Sequence, residues 1–190
     1  MNNSSNKNIL IFGPPGAGKG TQSKTISEFL KIPHISTGDM FRYHIKNDTE
    51  LGRKAKEYSN AGKLVPDEVT IAMVEERLAR PDVTQGFLLD GFPRNVSQAQ
   101  ALEKILSKTG RSPSLVLNLV VPLEDVKKRL ANRAAQEGRA DDADPAVIQK
   151  RIETYVSESA PCLEYYKPTG KVKDIAGTGT IEEVWNLLKT

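Results

Sequence analysis

Short apolar runs, separated by stretches with helical spacing, follow one another along the whole chain. The runs typical of buried strands are Ile9–Phe12, His34–Ser36, Phe87–Leu89, Leu115–Val121 and Val172–Ile175. Between them, apolar positions recur at helical intervals near residues 19–30, 38–46, 50–60, 67–79, 97–108, 123–136, 145–166 and 180–189. Strands that alternate with helices predict an α/β fold with three layers, in which a five-stranded parallel sheet carries helices on both faces.

Two stretches interrupt the alternation of strands and helices. The first, residues 36–65, contains two helical patterns with no strand between them, and Asp48, Gly52 and Gly62 act as breakers within it. The second, residues 132–142, is short and rich in small and polar side chains. We therefore expect a single domain over residues 1–190, with a core of residues 7–35, 66–131 and 143–190 and these two insertions.

Composition limits the classes of partner. The chain has 190 residues and a net charge of +3, which argues against a general nucleic-acid surface. Its one cysteine, Cys162, can form neither a disulfide within the chain nor a zinc site of four thiolates. The first residues are polar, and no apolar run approaches membrane-spanning length. We expect a monomeric cytoplasmic protein that binds neither nucleic acid nor membranes.

The segment from Gly13 to Thr21, Gly-Pro-Pro-Gly-Ala-Gly-Lys-Gly-Thr, is the most specific motif. It fits the phosphate-loop pattern G-x-x-x-x-G-K-[ST] with Gly20 added before Thr21, and it lies between a predicted strand and a predicted helix. Glycines let backbone N–H groups converge on phosphate oxygens, and the helix N-terminus adds partial positive charge. Lys19 supplies a full charge for the outer phosphates. An ordinary turn would not need this combination of glycines, prolines and lysine.

A second motif follows the third predicted strand, which ends in Asp90 and a turn at Gly91. Arg94 comes next, at the edge of the sheet where α/β proteins bind ligands. An acid at such a strand end commonly acts on magnesium through water. The alternative is an acid that caps a turn, beside a surface arginine.

Arginines provide permanent, bidentate positive charge for phosphate groups. The candidates are Arg42, Arg94, Arg129, Arg133, Arg139 and Arg151. Arg129 and Arg133 are four residues apart in a helical pattern, so both project from one face. Pairing of Arg129 with Asp125 on a solvated helix face is the alternative.

Five motifs occur in order along the chain. They are Gly13–Thr21, Ser36–Asp39 with Arg42, Gly62–Asp67, Asp90–Arg94 with Gln98, and Gly138–Asp142 with Arg151. Together, from about Asn8 to the C-terminus, they closely resemble the adenylate kinase family in its short-lid form. The resemblance implies a P-loop kinase domain, with residues 36–65 as the NMP-binding insertion and residues 132–142 as the short lid. Since this lid has no cysteine, the zinc-binding lid of the long form is excluded.

The resemblance also implies the reaction, which is reversible Mg²⁺-dependent transfer of a phosphoryl group from ATP to AMP, giving two ADP. The acceptor phosphate is largely ionised at neutral pH, since its second pKa is about 6, so no general base is needed. Positive charge around the shifting phosphoryl group is needed instead. By resemblance, the residues that supply it are Lys19, Arg94, Arg129, Arg133, Arg139 and Arg151.

The same resemblance divides the site between two nucleotides. ATP would be held by Gly16, Ala17, Gly18, Lys19, Gly20, Thr21, Arg129, Arg133 and Gly179. AMP would be held by Thr37, Arg42, Lys63, Leu64, Val65, Gly91, Phe92, Pro93, Arg94, Gln98, Arg139 and Arg151. Asp90 would organise the water ligands of magnesium, while Asp141 and Asp142 would hold the arginines by ion pairing.

Two other functions stay open. A UMP/CMP kinase shares the architecture, but that family tends to have alanine and asparagine where this chain has Thr37 and Gln98. The amide of Gln98 suits an adenine edge, although Gln98 could instead be the partner of a helix cap at Asn95. Asn95 is a mild point in favour of the pyrimidine kinases, which often have asparagine there. A GTP-dependent switch would need Asn-Lys-x-Asp or Thr-Lys-x-Asp after a later strand, and neither occurs.

Overall fold

The computed structural model describes residues 7–137 and 142–189, and a parallel sheet runs through them. The strands are β1 (Lys7–Phe12), β2 (His34–Ser36), β3 (Gly86–Asp90), β4 (Leu115–Val120) and β5 (Val172–Ala176). Their order in the sheet is β2-β3-β1-β4-β5, and every neighbouring pair is parallel. The predicted five-stranded parallel sheet is confirmed, and its strand ends differ from the predicted ones by at most two residues.

Helices connect the strands. They are α1 (Lys19–Leu30), α2 (Thr37–Lys46), α3 (Glu50–Asn60), α4 (Asp67–Leu78), α5 (Val96–Ser107), α6 (Leu123–Glu137), α7 (Pro145–Thr154), α8 (Ala160–Tyr166) and α9 (Ile181–Leu188). Two 3₁₀ turns cover Pro81–Val83 and Lys167–Thr169. Apart from the predicted segment 145–166, the helix ends lie within one residue of the predicted ones.

The predicted helix over residues 145–166 is divided into α7 and α8 by a π-helical turn, Tyr155–Ser159. In this turn the N–H of Ala160 donates to the carbonyl of Tyr155, five residues back. Pro161 accounts for the break, because it has no N–H for the carbonyl four residues earlier and its ring would crowd that carbonyl. The predicted helical segment is confirmed in its extent, and the π-helical turn within it was not predicted.

Hydrophobic cores lie on both faces of the sheet. Side chains of β1 alternate between them: Leu10 and Phe12 join one buried cluster, and Ile9 and Ile11 join the other. The first cluster takes its helical side chains from α4, α5 and α8, and the second takes them from α1, α6, α7 and α9. Helices on both faces are therefore confirmed, and burial on both sides explains why Ile9–Phe12 of β1 are all apolar.

The pair α2 and α3 packs closely because of one glycine. Thr49 caps α3 by accepting a hydrogen bond from the N–H of Gly52. A Cβ placed on Gly52 would lie 2.1 Å from the carbonyl oxygen of His44, so only glycine allows this approach of the two helices. The division of the chain into a core and two insertions stays a prediction.

The sheet order fixes where a ligand can bind. β1 lies between β3 and β4, so the direction in which the chain progresses through the sheet reverses beside β1. Ligands of open parallel sheets bind outside the carboxyl ends of the strands at such a point. The glycine-rich loop after β1 and the turn after β3 both start there. In residues 7–137 and 142–189, none of the helices combines the length and apolar character needed to cross a membrane.

Candidate phosphate and nucleotide site

The loop between β1 and α1 is shaped by glycine. Gly16 has φ +79°, and a Cβ there would lie 3.0 Å from the side chain of Leu130 in α6. Gly18, with φ 92°, precedes α1 and has no side chain with which to cap it. The backbone N–H groups of the first turn of α1 therefore remain available for an anion.

Lys19, the first residue of α1, folds its side chain back over this loop. Its Nζ donates to the carbonyl oxygens of Gly13, at 2.8 Å, and Pro14, at 3.0 Å. Burial lowers the pKa of Lys19 to about 8, opposed by Asp90, and the nearby Arg94 and Arg151 lower it further. Neutral carbonyls hold this ammonium group without neutralising it, so its charge remains available to a phosphate.

Asp90 ends β3 beside Ile11 of β1 and Ser36 of β2 in the sheet register, and it is only 7% exposed. Its Oδ2 lies 3.4 Å from Nε2 of His34, and a Cβ placed on Gly20 would lie 3.9 Å from the same oxygen. The carboxylate therefore faces the start of α1.

A hydroxyl, rather than the Asp90 carboxylate, holds the turn after β3. Thr37 Oγ1 donates to the carbonyl oxygen of Gly91 at 2.8 Å. In the described part of the chain, no group of three or more His, Cys, Asp or Glu side chains is arranged to hold a metal ion.

A hydrogen-bonded network joins the start of α5 to the start of α4. Gln98, 1% exposed, accepts at Oε1 from the N–H of Arg94 at 2.8 Å and donates from Nε2 to Asp67 at 2.8 Å. Asn95 caps α5 by accepting from the backbone N–H of Gln98 at 2.9 Å, and its Nδ2 donates to Asp67 at 2.9 Å. The sequence analysis missed Asp67 as a site residue, since an acid after a proline is equally typical of any first helical turn.

Two arginines of the predicted AMP set are held in place by hydrogen bonds to nearby residues. Arg94 Nε donates to the carbonyl oxygen of Gly91 at 2.8 Å. Arg42, on α2, pairs with Asp39 one turn earlier at 2.5 Å, and its side chain is 43% exposed. Both guanidinium groups are oriented by neighbours on their own segment.

Asp142 joins two arginines from different helices. It accepts from Arg133 on α6, at 2.5 and 2.9 Å, and from Arg151 on α7, while its side chain is fully buried. Burial alone would raise the pKa of this carboxyl group, but the two guanidinium groups outweigh burial and hold the pKa below its usual range. The ion pairing predicted for Asp142 is therefore present. Arg139 and Asp141, also predicted, lie outside the described residues.

Arg129, one turn before Arg133, bridges two loops. Its Nη1 donates to the carbonyl oxygen of Ala17 at 3.4 Å, and its Nη2 donates to that of Gly177 at 2.9 Å. Arg129 thus ties the phosphate loop to the segment between β5 and α9. Gly179 follows in that segment with φ +114°. The alternative of a solvated pair with Asp125 is wrong, since the guanidinium group turns to these carbonyls.

A pocket of about 200 Å³ opens between the phosphate loop, α2 and the segment after α3. The predicted residues that line it are Lys19, Thr37, Arg42, Lys63, Leu64, Val65, Gly91, Pro93, Arg94, Gln98 and Arg151. Phe92 does not line it, because its side chain is buried in the core cluster with Leu10. Tyr155 and Ser159 of the π-helical turn do line it, and the sequence analysis missed both because a π turn leaves no separate periodicity signal.

Comparison with known proteins gives a consistent result over most of the chain. The adenylate kinase family model matches residues 11–171. An adenylate kinase of Streptomyces coelicolor is 46% identical over 203 aligned positions, covering 93% of this chain and 94% of that protein. One of Leptospira biflexa is 47% identical over 182 positions, covering 96% and 97%. One of Carboxydothermus hydrogenoformans is 45% identical over 208 positions, covering 95% and 97%.

Proposed function

The chain belongs to the adenylate kinase family, and we propose that its pocket carries out reversible phosphoryl transfer between ATP and AMP, giving two ADP. Family membership makes the chain a phosphotransferase enzyme of the P-loop α/β class. The roles of individual residues are the part that needs its own argument. Asn95, the mild point in favour of a UMP/CMP kinase, caps α5 in this chain.

One observation carries the proposal: Lys19 and the predicted AMP residues line the same pocket. The lysine of a phosphate loop contacts the outer phosphates of its nucleotide. In this pocket it lies together with Thr37, Arg94 and Arg151. A phosphate acceptor bound among these side chains would sit next to the phosphoryl group that Lys19 holds, and this juxtaposition provides the proximity that transfer needs.

On the donor side, the backbone of Gly16–Thr21 would cradle the ATP phosphates. The N–H groups at the start of α1 have no side-chain cap and would donate to an anion, and the helix dipole favours negative charge there. Arg129 borders this loop through its bond with Ala17 and also contacts Gly177, in the segment that contains Gly179, which supports an ATP role for Arg129 and Gly179. Arg133 would reach ATP from the base of the lid.

On the acceptor side, Arg42, Arg94 and Arg151 would clamp the AMP phosphate, with Lys63–Val65 and Gln98 around the nucleoside. Phe92 and Pro93 would contribute through the backbone of the turn, since the Phe92 side chain is buried in the core. As negative charge spreads over the transferring group, Lys19, Arg94 and Arg151 would stabilise it without any proton transfer. Arg139 would join them, by resemblance to the family.

Magnesium would enter with ATP, as part of the substrate. Asp90 fits a role in holding its waters, because the carboxylate is at the strand end, faces the start of α1 and has, among the described residues, a long contact of 3.4 Å with His34. Carboxylate oxygens binding through water are typical of magnesium. No structural zinc is proposed, since the one cysteine, Cys162, is buried in the core.

Residues 36–65 would form the AMP-binding insertion and residues 132–142 a short lid that orders when both nucleotides bind. We further propose a cytoplasmic monomer. Hydrogen exchange over residues 132–144, with and without a bisubstrate mimic of two linked adenosines, tests the lid. Slower exchange with the mimic bound is expected, whereas unchanged exchange would contradict a lid.

A coupled assay with Mg·ATP as donor tests the function itself. AMP, CMP, UMP and GMP are offered in turn as acceptors, and AMP should exceed the pyrimidine nucleotides in kcat/KM by about tenfold to a hundredfold. Preference for CMP or UMP would instead indicate a pyrimidine kinase on the same fold. No transfer to any monophosphate, with ATP binding intact, would refute the proposed function.

A further inference from the structure

The amide of Gln98 lies in the pocket with half of its hydrogen-bonding capacity used. A primary amide has two N–H donors and two acceptor lone pairs. In this structure one donor goes to Asp67 and one lone pair receives the N–H of Arg94. One donor on Nε2 and one acceptor on Oε1 remain, on a group that lines the pocket and is 1% exposed.

The orientation of this amide is fixed by its two partners. If the amide were turned by 180°, Oε1 would face the carboxylate of Asp67, so that two acceptors met. At the same time Nε2 would face the N–H of Arg94, so that two donors met. A buried polar group left without a partner is costly, and the turned amide would leave two of them.

Asp67 is itself held in place. It begins α4 and accepts from Nδ2 of Asn95 at 2.9 and 3.2 Å in addition to its bond with Gln98. Asn95 in turn caps α5. Asp67 therefore links the N-termini of α4 and α5 to the amide of Gln98, although Asp67 does not line the pocket.

We propose that Asp67 is a positioning residue that fixes the Gln98 amide so that the pocket selects bases by the pattern of their edge. With this orientation, Oε1 can accept from an exocyclic amino group and Nε2 can donate to the adjacent ring nitrogen. Adenine and cytosine present that pattern. Hypoxanthine, guanine and uracil present the reverse, a carbonyl oxygen beside a ring N–H, and are rejected.

The inference rests on the proposed function, that this pocket holds the monophosphate. It also changes one point of the sequence analysis. Adenine and cytosine offer the same pair of groups to Gln98, so this amide cannot distinguish AMP from CMP. Discrimination between those two belongs to the size of the pocket and to neighbours such as Thr37.

AMP and IMP provide the test, because they share ribose, phosphate and ring size and differ at the base edge alone. In wild type, kcat/KM for AMP should exceed that for IMP by about a hundredfold or more, since two hydrogen bonds are replaced by two mismatches. Calorimetric titration of the same two nucleotides without ATP should show the same preference in binding.

Asp67→Asn has the same shape but can either accept from or donate to Gln98, so the amide is no longer fixed by the carboxylate. The ratio of kcat/KM for AMP to that for IMP should fall at least about tenfold. The change should arise from KM of the monophosphates, while KM for ATP and kcat with AMP stay within about threefold. The matched control is Asp82→Asn, which alters an exposed partner of Arg77 beyond the other end of α4 and should leave the ratio unchanged.

Three results would overturn a claim, and they are distinguishable. IMP accepted as well as AMP by wild type would refute base selection by Gln98 and leave the proposed function standing. A high wild-type ratio that Asp67→Asn does not lower would refute the positioning role of Asp67, since the N–H of Arg94 would then suffice. Transfer to neither nucleotide, with ATP bound, would refute the proposed function itself.

Discussion

Positive charge is held beside the pocket in two different ways, by the phosphate loop and by the cluster on Asp142. In the loop, Lys19 contacts the neutral carbonyls of Gly13 and Pro14, and burial lowers its pKa to about 8. In the cluster, Arg133 and Arg151 share the buried carboxylate of Asp142, whose pKa is lowered against the effect of burial.

The two regions differ in how much of their positive charge is neutralised before a substrate binds. The lysine is left partly uncompensated, so an incoming phosphate gains most of its attraction and the free protein carries the desolvation cost. The arginines are already paired with Asp142 in the free protein. This pairing fixes their positions between α6 and α7, but it leaves them less positive charge with which to attract a ligand. The loop therefore serves electrostatic stabilisation, and the cluster serves geometry.

Among the substitutions considered, replacing Lys19 should have the largest effect, and the effect should be on turnover. Lys19→Met should lower turnover by about a hundredfold or more, because an uncompensated charge that acts on the transferring group is worth several kcal/mol. Steady-state kinetics with Mg·ATP and AMP measure it. Lys24→Met, on the exposed face of α1, is the control. Turnover within about threefold of wild type would remove the phosphate-loop interpretation.

Removing the carboxylate of Asp142 should lower the free energy of unfolding. Asp142→Asn keeps the shape but removes the buried negative charge that Arg133 and Arg151 share, which should cost about 1–3 kcal/mol. Urea unfolding at pH 7 measures the loss. Asp82→Asn, which disturbs the more exposed pair with Arg77, should cost no more than about 1 kcal/mol.

The contribution of Asp142 to stability should also depend on pH, in a direction that follows from its lowered pKa. Because the folded protein holds the pKa of Asp142 below its ordinary value of 3.8, the carboxylate stabilises the fold above that pH. Its contribution is lost as the pH falls through the lowered pKa. Equal losses for Asp142→Asn and Asp82→Asn would show that burial of the cluster adds nothing.

The phosphate loop was predictable because its chemistry is written in consecutive residues. Gly16 and Gly18 act through local backbone conformation, the side chain of Lys19 contacts Gly13 and Pro14 of the adjoining loop, and strand, loop and helix follow one another in the chain. The parallel sheet was predictable for a similar reason, since its strands are short segments, mostly apolar in β1, β3 and β4, that the helical stretches separate. Periodicity carries such information over a short window.

The Asp142 cluster and the Gln98 network were only partly predictable because their partners are distant or ambiguous in the chain. Asp67 and Gln98 are 31 residues apart, and no periodic pattern connects them. Gln98 was recognised as a possible cap partner, but the sequence did not show that its backbone makes the cap while its side chain bonds to Asp67. The direction of Arg129, toward Gly177 instead of Asp125, depends on packing between segments 48 residues apart.

Titration distinguishes Lys19 from the arginines of the Asp142 cluster, because only the lysine can lose its charge in an accessible pH range. With a pKa of about 8 in the free protein, Lys19 should make kcat/KM for ATP fall by about tenfold per pH unit above that value. The fall in kcat should begin at higher pH, since bound phosphates favour the ammonium form. In Lys19→Arg the descending limb should be absent, whatever its activity. A profile of kcat/KM that stays flat in wild type up to pH 9.5 would contradict a lowered pKa.

The smallest expected effect concerns Arg129, which combines features of both regions: it is an arginine, but its partners are neutral carbonyls, as for Lys19. Arg129→Lys keeps the charge and loses the fork that spans Ala17 and Gly177. One hydrogen bond is worth about 0.5–1.5 kcal/mol, so KM for ATP should rise about two- to tenfold. KM for AMP should not change, because Arg129 does not line the pocket proposed for AMP. Arg53→Lys, on the exposed side of α3, controls for the substitution itself. A rise in KM for AMP equal to that for ATP would show that the loss spreads through the fold, and Arg129 would then have to be assigned to the framework and not to the ATP side.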